Sequence, residues 1–331
     1  MKKFLLVNYT TPNSSANEIP YLWLTLKSYF QRNSKDPSAW QWLDPEYSDV
    51  AESPQELIDR IVEQEPDVLG ISCYMWNDKL TMYVAEQVKR KLPNIKIVAG
   101  GPALYYENFK SWFVQYWFID ALCEYSGYGE VFITDYLDGV PVEQIPFSVY
   151  PALRRAFWNK SSSGYTKREF NYPMPYLDNI DYLKRFPKKE TTVILDTTRG
   201  CPYSCSYCEW GGGTSTKVVF KPIEDTMKEL EVIFQYLTPS YIDIINANFG
   251  IVKDDIDIAK KIVELNKNKV VKYVNLYGPT KTSKKFLKQI YDIFLSNGIL
   301  DDIKVSVQHT NQTILHNISR IDMPFDDQID F

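Results

Sequence analysis

Three cysteines with short spacing are the residues of this sequence best suited to chemistry. Cys201, Cys205 and Cys208 stand within eight residues, in a loop that contains Gly200 and Pro202. Thiolates bind iron and zinc, and three of them on one short loop can converge on a single metal centre. With only three such ligands nearby, a four-iron cube would keep one iron without a protein ligand.

Two other interpretations of the three thiols remain open on spacing alone. A zinc site needs a fourth ligand, and the two histidines of the chain, His309 and His316, are distant in sequence. Zinc sites also more often use a pair of C-x2-C units. The cysteines can also be structural thiols that bind no metal. The spacing favours an iron-sulfur site over both.

The cysteine motif resembles the hallmark of the radical S-adenosylmethionine enzymes, C-x3-C-x2-C with an aromatic residue, here Tyr207, before the last cysteine. The resemblance implies that the three cysteines bind a [4Fe-4S] cluster, that S-adenosylmethionine chelates the fourth iron, and that Tyr207 belongs to the cofactor site. Reductive cleavage of the sulfonium would yield methionine and a 5′-deoxyadenosyl radical. The electron would come from a donor such as flavodoxin or ferredoxin, and the cofactors would carry the difficult chemistry.

The elements before residue 140 alternate between apolar strands and amphipathic helices. The pattern predicts strands at 4–8, 67–73, 95–99 and 118–123, a helix at 54–65, and a second helix that Asn77 caps. Nearly continuous apolar strands between helices are typical of a doubly wound, Rossmann-like parallel sheet. Ligands of such sheets bind beyond the carboxyl ends of the strands.

The second half predicts a partial (β/α) barrel, with a second open sheet as the alternative that spacing alone does not exclude. Six of the nineteen prolines fall in 141–190, which indicates a linker between a domain at 1–140 and a domain at 191–331. Strands are then predicted at 192–197, 241–245, 271–276 and 303–307, with helices between them, one capped by Asp255 and one opened by Ser283. The barrel of the radical S-adenosylmethionine family has about six such units, so the barrel is predicted to be incomplete.

The N-terminal sheet domain before the cysteine motif resembles the cobalamin-binding class of the family. Four glycines after predicted strands, Gly100, Gly101, Gly127 and Gly129, would let the backbone approach a corrin or its nucleotide tail closely. The alternative is that these glycines serve only the turns of the fold.

Trp76 is the candidate for the lower face of a bound cobalamin. The usual D-x-H-x-x-G motif is absent, and the N-terminal domain has no histidine that could ligate cobalt. Trp76 follows a predicted strand, where its ring could cover the cobalt, exclude water and favour methyl transfer. Packing between domains is the alternative role.

Polar residues after later strands are weaker candidates. Asn246 and Asn248 follow the second strand of the barrel, where the family usually binds the amino group of S-adenosylmethionine. Ser306 and Gln308 end the predicted fourth strand and could reach the ribose or carboxylate. Turn formation explains the asparagines equally simply, and polar strand ends are common.

The composition is that of a globular protein. The 331 residues are 44% hydrophobic and 24% charged, which excludes a disordered chain. A net charge of -5 argues against nucleic acid as a partner, and no apolar window is long enough for a membrane span. The odd number of cysteines and the short apolar run near the start predict a cytoplasmic protein.

These features together predict a cobalamin-dependent radical S-adenosylmethionine methyltransferase that methylates an unactivated carbon. The substrate class would be a small-molecule or peptide natural-product precursor. The alternatives are a radical enzyme that does not methylate, with or without cobalamin, and a non-catalytic iron-sulfur binding subunit.

Overall fold

The chain forms two compact units in a computed structural model. The structure describes residues 1–9, 17–48, 52–104, 115–123, 129–146, 148–152, 155–158, 170–208, 218–277, 284–300, 302–303 and 306–320. The first unit comprises Met1–Ser14 and Leu22–Pro175, and the second comprises Ser15–Tyr21 and Tyr176–Phe331. Among the described residues, no helix has both the length and the apolar character that crossing a bilayer requires.

A mostly parallel sheet is the centre of the first unit. Its order is β3 (Trp40–Trp42), β1 (Lys2–Tyr9), β5 (Val68–Ser72), β6 (Lys96–Gly100), β7 (Ala121–Cys123), β8 (Ser148–Ala152) and β9 (Arg155–Trp158), and β4 (Glu46–Ser48) also pairs with β1. Strands β1, β5, β6 and β7 run parallel. The predicted α/β fold class is thereby confirmed for this unit.

Helices cover both faces of this sheet because the residues of β1 alternate between two apolar layers. Leu5 and Val7 share a buried cluster with side chains of α2 (Pro54–Gln64) and α3 (Asp78–Lys91). Phe4 instead contacts Trp42, which also meets aromatic rings of α1 (Tyr21–Asn33). Residues that alternate along a strand point to opposite faces, so one strand can anchor both layers.

The stretch 141–190 contains more regular structure than its prolines indicate. After α4 (Gly129–Leu137), β8 pairs with β7 and β9 pairs with β8, both antiparallel, so the sheet continues past residue 140. A short helix, α5 (Ile180–Arg185), follows. Prolines are tolerated near the edge of a sheet, which is why their number gave no sign of these strands. The functional division at 140 and 190 stays a prediction.

The second unit is built on a parallel sheet in the order β14 (Tyr273–Leu276), β13 (Thr238–Ile244), β10 (Glu190–Leu195) and β2 (Asn17–Glu18). Its other described elements are a two-stranded ribbon of β11 (Thr198–Arg199) and β12 (Val219–Phe220), and α6 (Ile223–Tyr236), α7 (Asp254–Leu265), α8 (Lys284–Ser296) and α9 (Gln312–Asn317). The predicted opening of a helix at Ser283 lies outside the described residues.

The predicted fourth strand of the barrel is absent from the part of it that the structure describes. Residues 304 and 305 lie outside that part, and Ile303, Ser306 and Val307 carry no strand assignment and are exposed. An apolar alternation of five residues forms a strand only where a neighbour pairs with it, so the pattern alone does not establish one.

Asp255 holds the loop before α7 and does not cap the helix as predicted. The helix begins at Asp254, and the Asp255 carboxylate accepts hydrogen bonds from the backbone N–H groups of Gly250, at 2.8 Å, and Val252, at 3.3 Å. Burial outweighs these hydrogen bonds and raises the pKa of Asp255 to about 6.

This raised pKa predicts a loss of stability as the pH rises. The unfolded carboxyl ionises near pH 4, whereas the folded one keeps its proton until about pH 6. The free energy of unfolding should therefore fall by about 3 kcal/mol between pH 4 and pH 7 relative to an Asp255→Asn variant. Urea unfolding of both proteins across this range measures the difference. The control, Asp254→Asn, alters an exposed neighbour and should keep most of the pH dependence of the unfolding free energy. Wild-type and Asp255→Asn stabilities that change identically with pH would contradict the prediction.

Candidate metal and cofactor sites

The cysteine loop leaves the carboxyl end of β10 and is closed by a small ribbon. Strand β11 ends at Arg199 and pairs with β12, which begins at Val219, so the loop departs and returns at adjacent points. Gly200 has φ +87°, a left-handed conformation that glycine adopts without strain, and it turns the chain directly into Cys201. The sequence therefore places the cysteines at the edge of the sheet where ligands bind.

The three cysteines provide thiols of different exposure on this loop. Cys201 and Cys205 are buried and Cys208 is partly exposed. The Asn248 amide donates a hydrogen bond to Cys201 Sγ at 3.3 Å, and Cys208 N–H donates to the Cys205 carbonyl. Sheltered sulfurs with amide donors are typical of iron-sulfur sites, so this donor set fits a cluster.

Across the described ranges, no group of three or more histidine, cysteine, aspartate or glutamate side chains is arranged to bind a metal ion. Cys201, Cys205 and Cys208 as cluster ligands therefore stay a prediction, supported by their chemistry and their position.

Asn246 joins the ends of two strands. Its side-chain oxygen accepts from Thr197 N–H at 2.9 Å, and its side-chain nitrogen donates to Thr197 Oγ1 at 2.6 Å. Asn246 and Thr197 are both buried, so this pair ties the residue after β13 to the loop after β10. The sequence suggested Asn246 and Asn248 as contacts of S-adenosylmethionine, which stays a prediction; the structure gives them hydrogen bonds to Thr197 and Cys201.

Tyr207 is held by a residue that the sequence gave no reason to select. Its ring is half-exposed, and its hydroxyl accepts a hydrogen bond from Arg320 Nη1 at 2.8 Å. The same hydroxyl also hydrogen-bonds with the Cys205 thiol. Arg320 itself is buried. Its distance of 113 residues from Tyr207 hides the contact from any spacing argument.

Ser306 and Gln308 are exposed and do not end a strand in the described part of their segment. The Ser306 carbonyl accepts from Arg320 Nη2 at 3.0 Å, so the contact runs through the backbone and not through the hydroxyl. Their proposed approach to S-adenosylmethionine remains untested.

In the first unit, two of the candidate glycines lie at the carboxyl end of β6. Gly100 ends β6 opposite Ser72 of β5, and Gly101 follows it with φ +114°. A Cβ at Gly101 would lie 2.4 Å from the Cys73 carbonyl oxygen, so this position requires glycine for the packing of the backbone itself. Gly129 begins α4, and Gly127 lies outside the described residues.

Trp76 stands in the turn that follows β5. Its ring is 59% exposed and stacks on Tyr74 with centroids 4.7 Å apart. Asn77 does not cap α3 as predicted: its side chain accepts from Tyr74 N–H at 2.7 Å and donates to the Ser72 carbonyl at 3.2 Å. These hydrogen bonds fold the turn back on its own strand and present two stacked aromatic rings.

Cys73 follows β5, Cys123 ends β7, and both thiols are buried. Burial raises the pKa of the Cys73 thiol, which keeps it protonated and disfavours metal binding.

This chain is similar to a B12-binding family and to two methyltransferases. The family described as the B12-binding domain matches residues 41–121. The cobalamin-dependent radical SAM methyltransferase TokK of Streptomyces tokunonensis is 28% identical over 328 residues, which cover 94% of this chain and 46% of that protein. The 2-(S-pantetheinyl)-carbapenam-3-carboxylate methyltransferase of Streptantibioticus cattleyicolor is 25% identical over 92% of this chain and 45% of that protein.

The fold has a close match among solved structures. The cobalamin-dependent S-adenosylmethionine radical enzyme OxsB, with aqua-cobalamin and S-adenosylmethionine bound, aligns with a TM-score of 0.69 and 17% identity over 99% of this chain and 47% of that chain. The chain thus spans about half the length of the curated relatives it matches. The resemblance inferred from the cysteine motif and the N-terminal sheet is confirmed.

Gly101→Ala should destabilise the first unit, whereas Gly100→Ala should not. A Cβ at Gly101 meets the Cys73 backbone and demands an unfavourable φ, while a Cβ at Gly100 has no neighbour closer than 3.8 Å. The expected loss for Gly101→Ala is about 2–4 kcal/mol in the free energy of unfolding, measured by urea titration. Equal stability of the two variants would contradict the close approach of Gly101 to Cys73.

Proposed function

We propose that this chain, whose fold is that of the cobalamin-dependent radical S-adenosylmethionine enzymes, belongs to a methyltransferase that methylates an unactivated carbon. The substrate class that we propose is a small-molecule or peptide natural-product precursor. TokK and the carbapenam methyltransferase, which are similar to this chain, are both methyltransferases, which supports the transfer of a methyl group.

The observation that carries this proposal is the presence of two candidate sites in one chain. One is the loop of three thiols after β10, with Cys201 and Cys205 buried and Asn248 donating to sulfur. The other is the carboxyl edge of the first sheet within a B12-binding domain. An enzyme that both generates a radical and carries a methyl group needs one site of each kind.

In the second unit, Cys201, Cys205 and Cys208 would hold the [4Fe-4S] cluster, which with S-adenosylmethionine supplies a 5′-deoxyadenosyl radical when bound. The role of the chain itself would be to bind the cluster and to shelter it from water. The buried thiols would keep water from the iron of a bound cluster, and the Asn248 amide would stabilise the negative charge on the Cys201 sulfur. The partly exposed Cys208 lies on the side that a donor such as flavodoxin or ferredoxin could approach.

In the first unit, the edge formed by β5, β6 and β7 would receive cobalamin, which supplies the methyl carrier when bound. The stacked rings of Tyr74 and Trp76 provide a flat apolar surface that suits a corrin face, and Asn77 fixes the turn that bears them. No histidine stands in the first 140 residues, so Trp76 would exclude water from the lower face without supplying a ligand. Five cysteines that form no disulfide suit the cytoplasm, where we propose that the protein acts.

Iron content and radical formation test the proposal together. The anaerobically reconstituted chain, given S-adenosylmethionine and a reductant, should release 5′-deoxyadenosine. Single replacement of Cys201, Cys205 or Cys208 by Ala should abolish both this release and the electron paramagnetic resonance signal of the cluster, because each supplies one of three protein ligands.

The matched control for the cysteine variants is Cys123→Ala, which removes a buried thiol from the first unit and should retain the iron. A wild-type chain that binds iron but releases no 5′-deoxyadenosine above the buffer level would favour the non-catalytic binding subunit. Normal cluster content in any one loop variant would remove that cysteine from the ligand set.

Trp76→Ala should change the absorption spectrum of bound cobalamin, because water or a buffer ligand would then reach the cobalt. Trp76→His should give the spectrum of an imidazole-ligated corrinoid. Trp117→Ala is the control, since Trp117 is another half-exposed tryptophan of the same unit and precedes β7, at the opposite edge of the sheet. Spectra of both Trp76 variants that equal the wild-type spectrum would assign the lower face to another residue.

A further inference from the structure

Arg320 is held rigidly although it lies past the last described helix of the chain. Asn311 caps α9 by accepting hydrogen bonds from Thr313 and Ile314 N–H. After the helix, Ser319 turns the chain with φ +53°, and Arg320 N–H donates to the Leu315 carbonyl at 2.8 Å. The position of the guanidinium is therefore set by a capped helix and a closed turn, which leaves the side chain few alternative directions.

The segment that follows α9 forms hydrogen bonds with two successive residues of the cysteine loop. Ser206 N–H donates to the Ile318 carbonyl at 3.0 Å, and Arg320 Nη1 donates to Tyr207 Oη at 2.8 Å. Arg320 Nη2 donates to the Ser306 carbonyl at 3.0 Å, so the planar guanidinium is fixed at two of its nitrogens. A side chain with this fork geometry can orient a hydroxyl more closely than a lysine can.

The Tyr207 hydroxyl thereby acquires a direction. Because its oxygen accepts from Arg320, its own hydrogen is left to be donated, and its partner is the Cys205 thiol. The Arg320 guanidinium, the Tyr207 hydroxyl and the Cys205 sulfur therefore form a row of three interacting groups.

Satisfying a polar group does not explain this row. The ring of Tyr207 is 48% exposed, so water could serve its hydroxyl. Arg320 is only 9% exposed, so its positive charge is sheltered from water where it meets the cysteine loop. The arrangement makes sense if the sulfur at its end carries negative charge.

We infer that Arg320 is a positioning residue that holds the Tyr207 hydroxyl on the Cys205 sulfur and raises the reduction potential of the cluster. This inference rests on the proposed function, because it requires a cluster on the cysteine loop. A hydrogen bond to a ligating sulfur and a nearby positive charge both favour the more negative, reduced cluster. The Asn248 amide acts in the same sense on Cys201.

The test is a potentiometric titration of the anaerobically reconstituted chain, followed by electron paramagnetic resonance, with iron per chain measured on the same samples. Tyr207→Phe removes only the hydroxyl of a half-exposed ring, and Arg320→Met removes the guanidinium that orients it. At a fixed solution potential, each variant should show roughly tenfold less reduced cluster relative to oxidised cluster than the wild type, with normal iron content.

Two further variants separate positioning from packing. The double variant should show no larger shift than either single variant, because both substitutions remove one hydrogen bond to sulfur. Arg185→Met is the matched control, since Arg185 also lies over a tyrosine ring of the same unit, 5.5 Å from the centroid of Tyr182. The reduction potential of this variant should equal the wild-type value. Arg320→Lys should fall between Arg320→Met and the wild type.

Unchanged potentials in Tyr207→Phe and Arg320→Met, with normal iron content, would overturn the inference. Loss of iron in Arg320→Met with a wild-type potential in Tyr207→Phe would also overturn it and make Arg320 a packing residue of the loop. A wild-type chain that binds no iron on reconstitution is a different result, because it would refute the proposed function from which the inference starts.

Discussion

The buried pair of Asn246 and Thr197 is the interaction on which the geometry of the second unit depends. Two hydrogen bonds join the residue after β13 to the loop after β10, at the edge from which both functional segments depart. The cysteine loop starts four residues after Thr197, and Asn248 reaches Cys201 from two residues after Asn246. Without this pair, the backbone amide of Thr197 would lose its partner in the protein interior and the distance between the two segments would no longer be fixed.

In the first unit, an asparagine side chain also holds a loop at the carboxyl ends of the parallel strands. Asn77 bridges the Ser72 carbonyl and the Tyr74 amide, and so shapes the turn that bears Trp76. Gly101 then packs against the backbone of Cys73, next to that turn. In both units the parallel strands bring the loops to one edge, and an asparagine side chain determines the course of the loop. The loop at each candidate cofactor site thus depends on the side chain of a buried asparagine.

The sequence predicted the features that depend on local pattern. Apolar runs located the parallel strands, and the spacing of Cys201, Cys205 and Cys208 indicated the family. The features it missed depend on distant contacts or on competition for hydrogen bonds. Arg320 and Tyr207 are far apart in the chain, and Asn77 and Asp255 satisfy loop amides where helix capping was expected. The prolines of 141–190 argued against strands, so β8 and β9 were not predicted. Antiparallel strands near the edge of a sheet tolerate proline, whereas central strands do not.

The central claim is that one chain binds both a corrinoid and an iron-sulfur cluster. Cobalt and iron analysis of protein purified and reconstituted under anaerobic conditions tests this claim most directly. The account predicts about one cobalt and about four irons per chain, with Cys201→Ala losing the iron but keeping the cobalt, because the two sites lie in separate units. Absence of either metal from the wild-type chain, or loss of both from Cys201→Ala, would contradict it.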